Sequence, residues 1–175
     1  MSVEILSVAV AVKKIGGYLN RDTLRPYFVI ADGDTETEEL KKHFGGFEHI
    51  NISDFYAGDS MLDTDRLIEN LQSVETNAIV FGLGEYIYRT GQGDILRSLQ
   101  DRNFNGKVIF VCRGIAHLLE RLADEDRKFA AHRLCNVGGK FSFPVEKPAV
   151  DIPVVDKKIS KPQRKTDAGF EFFGV

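Results

Sequence analysis

The sequence predicts an α/β fold, a three-layer sandwich around a mainly parallel five-stranded sheet. Three observations predict it. Short, β-prone apolar runs recur at residues 27–31, 78–81 and 108–112, each of strand length and too short for a buried helix. Between them lie stretches whose apolar residues fall three and four apart, the period of an amphipathic helix. Turn signals divide the two patterns, as at Asp32-Gly33-Asp34, Gly45-Gly46 and Asn105-Gly106. Strands alternating with helices at this spacing imply right-handed crossovers and a parallel sheet covered on both faces, in the flavodoxin-like or Rossmann-like manner.

Each element has its own warrant. At the N-terminus Val8, Val10 and Val12 alternate as a strand would, while Ile5, Leu6, Ala9 and Val12 also fit a helical stripe. Ser2 as a cap and Lys13-Lys14 ahead of Gly16-Gly17 as a stop favour helix. Residues 27–31, Tyr-Phe-Val-Ile-Ala, form the first strand. Residues 35–44 are rich in Glu and Lys, carry Leu40 and Phe44 four apart, and predict a surface helix with one narrow apolar stripe. Residues 49–53 alternate like a strand at a sheet edge and end at Asp54. Asp63 caps a helix with Leu67, Ile68 and Leu71 on one face.

Residues 78–81 run into Gly82-Leu83-Gly84-Glu85-Tyr86, and 85–89 predict a short helical turn broken by Gly91-Gln92-Gly93. Asp94 caps the next helix, which buries Ile95, Leu96 and Leu99. The strand at 108–112 ends in Arg113-Gly114, and Ile115, Leu118, Leu119 and Leu122 then repeat at helical spacing. Residues 133–137 predict the fifth strand. Beyond Gly138-Gly139 the pattern fades into one extended piece with Phe141 and Phe143, then a proline-punctuated tail.

The 175 residues suit one α/β domain, 1–145, followed by a basic linker or tail, 146–175. Hydrophobic content of 43% and charged content of 28% are ordinary for a globular chain. No apolar run approaches the roughly 20 residues that cross a bilayer, so no membrane association is expected. Residues 3–12 imitate a signal sequence, but lack a basic start and a small-residue cleavage site. Two cysteines, Cys112 and Cys135, make no disulfide framework, which points to a reducing, cytoplasmic setting. The net charge of -3 argues against a nucleic-acid module, which needs excess positive charge to displace counterions. Nucleic-acid contact is confined to the tail, where Lys157, Lys158, Lys161, Arg164 and Lys165 cluster.

Open parallel sheets place ligands beyond the carboxyl ends of their strands, so the candidate chemistry gathers there. Gly82, Gly84, Glu85, Arg113 and Gly114 form a candidate crevice or anion site. Two phosphate-binding fingerprints fail on spacing: the third glycine of G-x-G-x-x-G falls on Ile87, and Gly138-Gly139-Lys140 is followed by Phe141. Arg113 beside a helix start suits an anion, or it braces the loops by pairing with Glu85. Asp32, Asp34, Asp54 and Glu85 sit at strand ends, where convergence would suit Mg²⁺ and phosphoryl or nuclease chemistry; turns and helix caps use the same residues. No cofactor is expected outside that Mg²⁺ alternative. Cys112, His117, His132 and Cys135 have the wrong spacing for a zinc knuckle, and no G-x-S-x-G elbow supplies a nucleophile.

The succession of an apolar strand, Gly82-Leu83-Gly84-Glu85-Tyr86, Gly91, Leu96, Lys107-Val-Ile-Phe-Val, Arg113-Gly114, Leu118 and Asp126-x-Lys128-Phe129 resembles the N-terminal region of PglZ-type proteins of bacterial BREX phage-defence systems. The likeness covers residues 78–137. In that family an amino-terminal α/β region precedes a separate alkaline-phosphatase-like domain. The resemblance implies a non-catalytic interaction domain of an antiviral defence protein, with phosphatase-like activity expected only downstream. It carries no catalytic residue onto this chain. Its partners would be proteins of a defence complex or its own downstream domain. The apolar terminus Phe170-Glu171-Phe172-Phe173 fits a piece of a larger protein, and also a small complete protein with a docking tail.

Overall fold

The computed structural model describes residues 3–57, 61–84 and 94–138. Helix α1 (Val8–Leu19) buries Val8, Ala11, Ile15 and Tyr18 along one face. Its cap is Ser7, whose side chain accepts from the Val10 N–H, and not Ser2. Nor does it stop before Gly16-Gly17. Ile15 and Tyr18 anchor the helix on either side of those glycines, and burying two large side chains outweighs a glycine penalty of about 1 kcal/mol each. The Tyr18 hydroxyl also donates to the Arg25 carbonyl at 2.8 Å, and its ring packs 5.2 Å from Tyr27.

The remaining elements follow in alternation. They are β1 (Tyr27–Ile30), α2 (Asp34–His43), β2 (Glu48–Asn51), a 3-10 turn (Ile52–Phe55), β3 (Tyr56–Ala57), β4 (Met61–Leu62) and α3 (Thr64–Ser73). After these come β5 (Ala78–Phe81), α4 (Asp94–Asp101), β6 (Val108–Cys112), α5 (Ala116–Glu125), α6 (Arg127–Arg133) and β7 (Leu134–Asn136). The five-stranded sheet has the order β2-β5-β6-β1-β7, and every pairing is parallel. β3 and β4 form a separate antiparallel pair that the sequence pattern did not reveal.

The sandwich has three layers. Val8, Ile15 and Tyr18 of α1 and Leu40 of α2 pack with Val29, Ile79, Ile109 and Cys135 on one face. Leu67, Leu99, Leu119 and Phe129, from α3 to α6, pack with Phe28, Val80, Phe110 and Leu134 on the other. β1, β5 and β6 are buried throughout, as expected of strands covered on both faces. β2 buries only Ile50 and is an edge strand, as its alternation suggested. The opposite edge, β7, is covered by the incoming chain through a parallel bridge between Ile5 and Asn136.

Three local expectations change. The edge strand stops at Asn51, because Ile52 and Phe55 turn inward to the core on a 3-10 turn that leaves Asp54 exposed. The helix after β6 breaks at Asp126, whose side chain accepts from the N–H groups of Lys128 and Phe129 and starts α6. Arg133 therefore ends a helix and does not begin the fifth strand. Three further expectations lie outside the described residues, namely the helical turn at 85–89, the extended piece with Phe141 and Phe143, and the tail 146–175.

Candidate functional site

The strand order locates the crevice. From β1 the chain crosses by α2 toward β2 over one face; from β6 it crosses by α5 and α6 toward β7 over the other. β1 and β6 are neighbours, so their carboxyl ends diverge to opposite faces, which is the switch point where open α/β sheets hold ligands. Two loops meet there, residues 31–34 after β1 and 113–115 after β6. They are tied together twice. Asp32 Oδ1 accepts from the Gly114 N–H at 2.8 Å, and Arg113 Nη1 donates to Asp34 Oδ1 at 3.1 Å.

Glycine is required at two of these turns for different reasons. Gly114 has φ +75 and open space around it, so its demand is conformational. Gly84 has a contact reason: a Cβ there would lie 1.6 Å from the Arg113 carbonyl oxygen. The turn that follows β5 thus rests directly on the backbone that follows β6. Leu83 beneath it is fully buried, and its N–H points at the Val111 carbonyl at 3.4 Å.

Beside this junction lies a cavity of about 310 Å³. One wall is a stripe of α2, Asp34, Thr37, Glu38 and Lys41, at the helical spacing that puts them on one side. Ala31, Ile52, Phe81 and Val111 give the cavity apolar lining, Asn51, Ser53 and Tyr56 add polar groups, and Arg113 lies against Asp34 of the α2 stripe. Lys41 donates to Glu38 at 2.9 Å, and its ammonium stands 5.2 Å from the centre of the Phe81 ring. The expected surface helix is therefore also a wall of the crevice, which its Glu and Lys content concealed.

Of the candidate residues, Gly82, Gly84, Arg113, Gly114, Asp32 and Asp34 do come together at the carboxyl ends of β1, β5 and β6. Glu85 lies outside the described residues, and the acidic partner that the described residues place on Arg113 is Asp34. Asp54 does not join the group. It is exposed on the 3-10 turn after β2 and is not among the residues that line the cavity, although Asn51, Ile52 and Ser53 just before it are. Among the described residues, no three His, Cys, Asp or Glu side chains are grouped to hold a metal ion. Cys112 and Cys135 belong to hydrophobic clusters on opposite faces of the sheet, so they share no site. Burial pushes both thiols upward in pKa, Cys135 to about 11. Partial burial, and then Arg121, lowers the pKa of His117.

Compared with known proteins, the chain matches no family model, no curated protein and no solved structure. No helix among the described residues is long and apolar enough to cross a membrane.

Proposed function

We propose that the chain is a non-catalytic α/β interaction domain and the N-terminal part of a PglZ-like antiviral defence protein. The observation that supports a non-catalytic reading is the double tie at the switch point. Asp32 and Asp34, the two strand-end carboxylates that come together, hold a backbone N–H and a guanidinium. A Mg²⁺ hydrolase would aim such oxygens jointly at one ion. The defence assignment is supported by the resemblance over residues 78–137. It gives the domain a cytoplasmic setting and, as partners, proteins of a defence complex or a downstream phosphatase-like domain.

The test has two arms. Titration calorimetry of the purified chain against a PglZ-type phosphatase-superfamily domain should give a saturable complex; no heat at any concentration overturns the docking role. Incubation with Mg²⁺ and a generic phosphodiester should give the buffer rate. Turnover that disappears in Asp32→Asn establishes the hydrolase instead.

A further inference from the structure

We propose that the cavity between α2 and the carboxyl ends of β5 and β6 binds a small zwitterion of the free α-amino-acid class, with one carboxylate and one ammonium group. The proposal is independent of the defence reading. It follows from the charge pattern, the exposure of the charged groups, the apolar lining and the size.

Two ion pairs line the cavity, Asp34 with Arg113 at 3.1 Å and Glu38 with Lys41 at 2.9 Å. Two cations and two anions leave its wall neutral. A polyanion such as a nucleoside triphosphate would meet as many repelling carboxylates as attracting cations, whereas a ligand carrying one charge of each sign is complementary to both. The four side chains are between 37% and 88% exposed. Ion pairs so exposed are weak, and exchanging one for an equivalent pair with a ligand loses little.

The hydrogen-bonding capacity that the contacts among the described residues leave over is of the right kind. Arg113 engages Asp34 through one terminal nitrogen of its guanidinium, which has five N–H donors and can grip a carboxylate with two parallel bonds. Asp34 and Glu38 retain acceptor positions for an ammonium group. Ala31, Ile52, Phe81 and Val111 add apolar lining that suits an aliphatic or aromatic side chain. At 310 Å³ the cavity sits at the small end of ligand pockets, roughly 300 to 1,000 Å³, and suits an amino acid better than a nucleotide.

The experiment is thermal unfolding of the full chain with each L-amino acid, inorganic phosphate and AMP, followed by calorimetry of the best ligand. A saturating apolar amino acid should raise Tm by roughly 5 °C or more. Its N-acetyl and methyl-ester forms, each lacking one charge, should bind at least about tenfold more weakly. Arg113→Gln and Asp34→Asn should each abolish the shift while unfolding cooperatively. Arg97→Gln, which breaks an exposed pair with Glu125 away from the cavity, should keep it. The proposal is overturned if no amino acid binds, if the N-acetyl form binds as well as the parent, if phosphate or AMP binds more tightly, or if the shift survives both cavity variants.

Discussion

One methyl group added at Gly84 would place a carbon 1.6 Å from the Arg113 carbonyl oxygen, 2.7 Å from its carbonyl carbon and 3.1 Å from its nitrogen. All three are backbone atoms, so no side-chain rotation relieves the overlap. Ordinary contact begins at 3.4 Å, which means the turns after β5 and β6 must separate by about 1.8 Å. That movement lifts Leu83 from a fully buried position and strains the tie between the two central strands. Overpacking costs about 1–3 kcal/mol, and an overlap with backbone atoms that cannot rotate away belongs at the top of that range. Gly114→Ala is the internal comparison, because the same methyl group meets nothing within 4 Å and suffers only the left-handed backbone at φ +75, about 1–2 kcal/mol. Urea unfolding followed by circular dichroism reads both, provided the two variants share the parent's m-value. A Gly84→Ala loss smaller than that of Gly114→Ala, or below about 1 kcal/mol, would refute the close approach.

Arg133 is buried, donates to the Pro26 and Gln100 carbonyls at 3.2 and 2.9 Å, and lies 5.2 Å from the Phe129 ring centre. Arg133→Met leaves both carbonyls without that donor and should lower stability by about 2–4 kcal/mol, visible as a lower urea midpoint. Asp126→Ala removes the cap of α6 and the acceptor of Gln100 Nε2; a loss of about 1–2 kcal/mol is expected, and a thermal scan checks it. Alkaline pH should unfold the protein progressively. Burial raises the pKa of Cys135 to about 11 and lifts Tyr18 and Tyr27 higher still. Above the ordinary thiol value of 9.0 the unfolded chain therefore holds fewer protons than the folded one. Stability then falls as pH rises, by about 1.4 kcal/mol per pH unit for each such group. Unfolding midpoints measured from pH 8 to pH 11 that stay level would contradict it.

The class of fold was legible because buried parallel strands and amphipathic helices write different periods into a sequence. The runs at 27–31, 78–81 and 108–112 needed no partner to be recognised, since strands covered on both faces are apolar throughout. Errors fell where tertiary contact overrode a local signal. Gly16-Gly17 read as a stop, yet the burial of Ile15 and Tyr18 carries α1 through them. Arg133 read as the start of the fifth strand, yet Asp126, through its two backbone contacts, starts a separate helix, α6, that runs to Arg133. The candidate site was legible as a location, because strand-end residues must lie on one rim of a parallel sheet.

What no local pattern contained was the pairing within that rim. The residue types at the strand ends, Asp32, Asp34, Arg113 and the glycines, and the parallel sense of the sheet were determined by the sequence itself. Strand order was decided only by the packing of the whole chain. By placing β6 beside β1, it sets Arg113 against Asp34 and Gly114 against Asp32. The 3-10 turn after β2, which buries Ile52 and Phe55, leaves Asp54 exposed and off the cavity lining. The same packing turns the charged stripe of α2 into a cavity wall. A helix records its own period and charge, while the surface that faces it comes from strands tens of residues away.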